Sequence, residues 1–299
     1  MIADFLCYLF EEKKLAVSTV EGYRTAISHT LKVTSGVDVG KDPHLTSLLA
    51  NFQRDVSRGK APAPEWDLAL VLQVLTKPPF EPLKEIDLKH LTWKTVFLLT
   101  LASGQRRSEI HALVRRTLQR QAGWNSVTIY PDPAFIAKTQ LAGRMGDVVQ
   151  GVTIPALSQY TGPGMAQDLK LCPVRALKEY IRRTDPIRGD RKLLFLSYQK
   201  GRKEEVARAT ISRWLKSTIL ACYEGADEDD RRVHQVKAHQ VRAMATSWAF
   251  HRNASMEKIL LAGSWKSHTT FTSYYLRNLS LIRDEMLQLG PIVAALHVE

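Results

Sequence analysis

Residues 262–277 read Ala262-Gly263-Ser264-Trp265-Lys266-Ser267-His268-Thr269-Thr270-Phe271-Thr272-Ser273-Tyr274-Tyr275-Leu276-Arg277. The Leu- and Ile-rich run before them, with Ser255 as its N-cap, predicts a helix over 255–262 that stops at Gly263. A second helix is expected to begin at Thr269 or Thr270 and to carry a tyrosine pair. The turn between the two holds a tryptophan, a lysine and a histidine. Taken alone, the stretch is a helical hairpin with a polar corner.

Two earlier stretches change its meaning: Ser103-Gly104-Gln105-Arg106-Arg107-Ser108-Glu109-Ile110 and His239-Gln240-Val241-Arg242. An arginine pair, an H-x-x-R and a late tyrosine, in that order, are the groups needed for attack on a phosphodiester by a tyrosine hydroxyl without a metal. The ordered set resembles the tyrosine recombinases (integrases), most closely those of eukaryotic mobile elements of the DIRS/Ngaro and Crypton type. The resemblance runs from Val17 to Leu279. It implies a mainly α fold with a small antiparallel β-sheet and a two-domain architecture, a helical core-binding domain followed by a mixed α/β catalytic domain.

Composition agrees with a polyanionic partner. Forty-two Lys and Arg against thirty Asp and Glu leave a formal charge of +12, with a pI near 9.6, and nucleic acid is the commonest partner of such a chain. Cys7, Cys172 and Cys222 are odd in number and far apart, which offers neither a disulfide framework nor a C-x-x-C metal site and points to a reducing intracellular compartment. The apolar opening Met1–Phe10 is interrupted by Asp4 and lacks a basic n-region, so it does not read as a signal peptide. No apolar run reaches the length of a membrane span.

Along the chain, Ile2, Phe5, Leu6, Leu9 and Phe10 share one helical face. Val20, Tyr23, Ile27 and Leu31 share another after a Ser18 or Thr19 cap, and Leu45, Leu48, Leu49 and Phe52 mark a third helix from Pro43 to Val56. Residues 1–60 are read as the DNA-clamping domain, short enough to be truncated, 61–66 as a linker, and 67–299 as the catalytic domain. In the latter, Leu68, Val71, Leu72 and Leu75 predict a helix, and the apolar run Leu91–Ala102 predicts a buried one that delivers Gly104 and the arginines. Val127 and Ile129, then Val148, Val152 and Ile154, change the period to two and predict strands, with a third at Phe135–Gln140. Helices follow at Pro173–Arg182 and Thr210–Cys222, the latter with Ile211, Trp214, Leu215, Thr218, Ile219 and Cys222 inward and Arg213 and Lys216 on its polar side. The charge run Glu224–Arg232 reads as a solvated loop.

The resemblance assigns the chemistry residue by residue. Arg106 stands where G-x-R-x-S-E-[LI] places the first catalytic arginine and is preferred to Arg107; Glu109 orients an arginine. His239 is carried over as proton acceptor or phosphate ligand, and Arg242 as the second catalytic arginine. Their i, i+3 spacing puts both on one helical face. Lys138 sits where the family carries the lysine that protonates the 5′ leaving group, with Arg144 as its competitor. Trp265 takes the family's His or Trp position, a phosphate donor through its indole N–H. Tyr275 is preferred as nucleophile to Tyr274, which would then pack beside Phe271. Leu279, Ile282, Met286 and Leu289 predict a C-terminal amphipathic helix.

The implied function is DNA strand exchange with no metal and no nucleotide cofactor. The implied partners are double-stranded DNA and further copies of the chain, a dimer on one site and a tetramer in synapsis, with no membrane, in a nucleus. A domesticated DNA-binding protein without catalysis and a type IB topoisomerase-like activity are the alternatives.

Overall fold

The computed structural model describes residues 1–55, 66–137, 151–157, 169–199, 204–225, 233, 236–251, 254–263, 265 and 267–277. The chain divides into two compact units, Met1–Lys60 and Ala61–Glu299.

In the first unit, α1 (Ile2–Cys7) runs into a π-helical turn over Tyr8–Glu12, followed by α2 (Val17–Ser35) and α3 (Pro43–Asp55). Leu6, Leu9, Val20, Leu45, Leu49 and Phe52 form its core, with Phe10 stacked on Phe52 at 4.2 Å between ring centroids. Two expectations need correction. The N-cap of α2 is Ala16 rather than Ser18 or Thr19, because Ala16, already extended, supplies the carbonyl for the first turn's N–H groups. Tyr23 is 45% exposed and meets the edge of Phe5 on the surface, so α2 buries a narrower stripe than its apolar residues suggest.

The second unit is built around α5 (Leu88–Ser103), every residue of which from Leu91 to Ser103 is buried. Helix α4 (Leu68–Leu75) precedes it. After α5 come α6 (Arg107–Ala112), β1 (Gln119–Arg120), β2 (Ser126–Ile129), β3 (Val152–Pro155), α7 (Pro173–Arg188), α8 (Arg208–Gly225), α9 (His239–His251), α10 (Met256–Ala262) and α11 (His268–Tyr274). Helices α7, α8 and α9 and strand β3 all pack on α5, and the expected inward face of α8, Ile211 to Cys222, is buried at each position. Among the described residues no helix is long and apolar enough to cross a membrane.

The sheet is antiparallel with order β1-β2-β3; Gln119 faces Thr128, and Ile129 faces Val152. Among the described residues its third strand is β1, and Phe135, Ile136 and Ala137 of the expected strand Phe135–Gln140 are not in the sheet. Residues 135–137 do not form a strand, because Asp132 caps a turn there: its carboxylate accepts from Ala134 N–H at 3.0 Å and its carbonyl from Phe135 N–H at 2.8 Å. Residues 138–140 lie outside the described residues, as do Val148, the linker except Trp66, residues 226–232 of the charge run, and the C-terminal helix expected from Leu279.

One charged residue interrupts the apolar run of α5. Lys94 is fully buried, and its Nζ donates to Leu75 O (2.7 Å), Phe80 O (3.3 Å) and Glu81 Oε1 (2.5 Å). Arg175 of α7 grips both oxygens of Glu81, at 2.6 and 3.0 Å. The ammonium thus ties the C-terminal end of α4 to α5, while Glu81 ties both to α7. Burial pushes the pKa of Lys94 down to about 8. Burial alone would raise that of Glu81, but the hydrogen bonds from Arg175 and Lys94 outweigh it and hold the carboxyl below its usual range.

Candidate active site

Helix α5 ends in a glycine because the chain must turn left-handed there: Gly104 has φ 61° and ψ 14°, and its N–H closes on Thr100 O at 3.0 Å. Two residues on, Arg106 is extended and caps α6. Glu109, one turn into α6 and buried, accepts from the backbone N–H of Arg106 at 2.5 Å and from its Nη1 at 2.7 Å. One carboxylate thus fixes both the main chain and the guanidinium of Arg106. Arg107 points elsewhere; it is exposed and donates to Ser212 Oγ on α8 at 2.8 Å.

Helix α9 brings the second cation. Arg242 is 2% exposed, and its Nη2 donates to the carbonyl of Gly263, the residue that ends α10. Its Nη1 lies 3.7 Å from Glu109 Oε2, so Glu109 stands between the two arginines. The guanidinium carbon sits 4.3 Å from the ring centroid of Trp265 and 5.2 Å from that of Tyr275. Those two rings are 4.5 Å apart. Among the described residues, Arg242 Nε and Nη1 and Trp265 Nε1 make no hydrogen bond although all are buried. An unmatched buried donor costs about 1–3 kcal/mol, and both residues that carry these donors lie against Tyr275. Burial and the nearby charge of Arg106 push the Arg242 pKa down to about 10, with Glu109 and Tyr275 opposing. The group remains a cation at neutral pH, and an anion between the arginines would relieve their repulsion.

Gly263 lets this happen by close approach: a Cβ there would overlap the six-membered ring of Trp265. The turn is closed by Trp265 N–H on Leu260 O at 2.9 Å, and Ser255 caps α10, its Oγ accepting from Lys258 N–H at 3.3 Å. Helix α11 then starts at His268, and Tyr275 is its C-cap. Of the tyrosine pair, Tyr275 is half-buried against Trp265 and Arg242, whereas Tyr274 is 68% exposed. The expected packing of Tyr274 beside Phe271 is not seen; Phe271 instead meets Trp265 and Phe250, at 5.6 and 5.8 Å between ring centroids.

Arg106 and Arg242 therefore meet at Glu109, and Trp265 and Tyr275 pack against Arg242. His239 is the exposed first residue of α9, one turn before Arg242. Lys138 and its competitor Arg144 lie outside the described residues. Three contributors went unrecognised in the sequence: Glu109 as a bridge between two arginines rather than the support of one, the carbonyl of Gly263, and Ser247. The hydroxyl of Ser247 bonds the backbone on both sides of Leu276. The signal for Ser247 was present as a hydroxyl beside Thr246 in the otherwise apolar middle of α9.

No protein-family model matches the sequence, and a comparison with curated proteins finds no match. Among solved structures, the fold is similar to that of the XerH site-specific recombinase bound to palindromic difH substrate in a post-cleavage complex. That match has TM-score 0.58 and 15% identity, and covers 92% of this chain and 68% of that one. The pre-cleavage complex of XerH with difH gives TM-score 0.55 and 16% identity over 93% of this chain and 66% of that one. A lambda integrase dimer bound to a COC′ core site aligns with TM-score 0.49 and 14% identity over 96% and 67%. The chain thus spans about two thirds of the length of these proteins. Its fold is the tyrosine recombinase fold, mostly helical with a small three-stranded antiparallel sheet.

Proposed function

We propose that the chain is a DNA strand-exchange enzyme, a tyrosine-type recombinase or integrase of a mobile element working in a nucleus. The observation that carries this reading is the buried guanidinium of Arg242, with two unmatched nitrogens, lying against the ring of Tyr275. Tyr275 Oη attacks the phosphorus of a duplex strand, forming a 3′-phosphotyrosine and freeing a 5′ hydroxyl. Arg106, Arg242 and the indole N–H of Trp265 take up the charge that builds on the non-bridging oxygens. His239 binds or accepts a proton at the same phosphate, and Lys138 gives a proton to the leaving 5′ oxygen. Attack by a 5′ hydroxyl from another strand reverses the step and completes the exchange. The ester keeps the bond energy, so the scheme requires no nucleotide cofactor, and the arginines occupy the role a metal would have. Duplex DNA is the substrate, and the exchange of strands between sites calls for more than one copy of the chain. The DNA-bound XerH complexes of the same fold support the substrate class.

The deciding experiment traps the protein on a nicked suicide substrate. A denaturation-resistant protein–DNA adduct whose linked peptide contains Tyr275 is expected, absent in Tyr275→Phe and retained in Tyr274→Phe. Linkage at Tyr274 would reassign the nucleophile. Duplex binding without any adduct would identify a DNA-binding protein, and relaxation of plasmids lacking cognate sites a topoisomerase.

A further inference from the structure

Ser247 lies in the middle of α9, fully buried, five residues after Arg242. A hydroxyl at such a position ordinarily bonds back to the carbonyl four residues earlier on its own helix. Its neighbour Thr246 does so, donating to Arg242 O at 2.9 Å. Ser247 does not. Its Oγ donates to the carbonyl of Tyr275 at 3.1 Å and accepts from the N–H of Arg277 at 2.8 Å, so the donor and an acceptor site of one hydroxyl are both spent on the chain around Tyr275.

That chain needs an anchor. Helix α11 ends here: Tyr275 has φ −117° and ψ −28°, and the N–H groups of Tyr275 and Leu276 converge on Phe271 O, both at 2.9 Å. The Tyr275 carbonyl and the Arg277 N–H are past the helical ladder and require other partners. Ser247 supplies both from the helix that carries Arg242.

We propose that Ser247 is a positioning residue that fixes Tyr275 relative to Arg242. The inference rests on the reading of Tyr275 as nucleophile. The hydroxyl makes the distance between nucleophile and second arginine a property of α9 instead of the end of α11. Its removal frees the ring of Tyr275 to drift from its place against Arg242 and Trp265 while leaving the arginines where they are. Displacements of about 1 Å at a reacting atom cost on the order of 100-fold in rate.

The test uses the full chain and two reactions. On the suicide substrate at saturating concentration, Ser247→Ala is expected to form adduct about 10- to 100-fold more slowly than wild type, with duplex affinity within about twofold. In the second reaction Tyr275→Phe is given hydrogen peroxide as an external nucleophile, which attacks the phosphorus and expels the 5′ oxygen without using the tyrosine. The peroxide scission rate of Tyr275→Phe should not change when Ser247→Ala is added. Adduct formation by Ser247→Ala at the wild-type rate would overturn the proposal. So would an equal loss of peroxide scission or of DNA affinity, which would make Ser247 a general support of the fold or pocket. A wild-type chain that binds duplex but forms no adduct would overturn the recombinase reading itself, and this proposal with it. Adduct formation by wild type and Ser247→Ala alike would leave that reading standing and remove only the role of Ser247.

Discussion

The ring of Trp265 occupies the space that any side chain on Gly263 would need. The carbonyl of the same glycine is the acceptor for Arg242 Nη2. Gly263→Ala must therefore move either the indole or the main chain, and both moves reach Arg242. Overpacking of this kind costs about 1–3 kcal/mol. We expect a measurable fall in melting temperature together with at least tenfold slower adduct formation on the suicide substrate. A variant that melts and cleaves like wild type would show that the turn can open at no cost.

Arg242 is a buried cation with two nitrogens that make no hydrogen bond among the described residues and with a second cation nearby. Removing one partner of a buried ion pair is costly when it strands the other charge, but Glu109 keeps Arg106 when Arg242 is replaced. Arg242→Met is therefore expected to unfold in urea within about 1 kcal/mol of wild type, or later, while losing adduct formation. Millimolar inorganic phosphate should raise the melting temperature of wild type but not of Arg242→Met. A clear destabilisation of Arg242→Met without phosphate would mean that its bond to Gly263 O and its attraction to Glu109 outweigh its desolvation.

Lys94 makes stability depend on pH in the alkaline direction. Its folded pKa, about 8, is below the ordinary 10.5, so between these values the unfolded chain holds more protons and stability rises with pH. Relative to Lys94→Met, wild type should gain up to about 1 kcal/mol per pH unit between pH 8 and 10. Urea unfolding of both proteins across that range measures the difference. Parallel profiles would show that Glu81 keeps Lys94 charged in the folded state throughout.

Lys138→Ala should cleave ordinary DNA far more slowly than wild type. On a substrate with sulfur in place of the 5′ bridging oxygen the deficit should largely disappear, because a thiolate leaves without a proton. Equal deficits on both substrates would transfer the role to another group, with Arg144→Ala as the next variant to assay.

Helices were legible wherever one face is apolar and the other polar. The inward set of α8, Ile211 to Cys222, needed only the helical period to be read. The stop at Gly263 and the cap at Ser255 were legible for the same local reason. Strand β1 was not, since its two residues are both exposed and carry no alternation; pairing with β2 alone makes it a strand. Phe135 and Ile136 looked more strand-like but follow the turn that Asp132 caps. At the site, the order of Arg106, Arg242, Trp265 and Tyr275 was legible because each lies in its own local pattern. The sharing of Glu109, the turn of Ser247 away from its helix and the burial of Lys94 depend on contacts between distant segments. No sequence period records those.

The groups of the pocket are made in a fixed order as the chain is synthesised. Arg106 and Glu109 come first, Arg242 much later, and Trp265 and Tyr275 after all of these. A nascent chain that has reached the end of α9 already encodes the carboxylate and both arginines but has no tyrosine at the phosphate. On the proposed reading, the attacking group is therefore the last of the set to be synthesised.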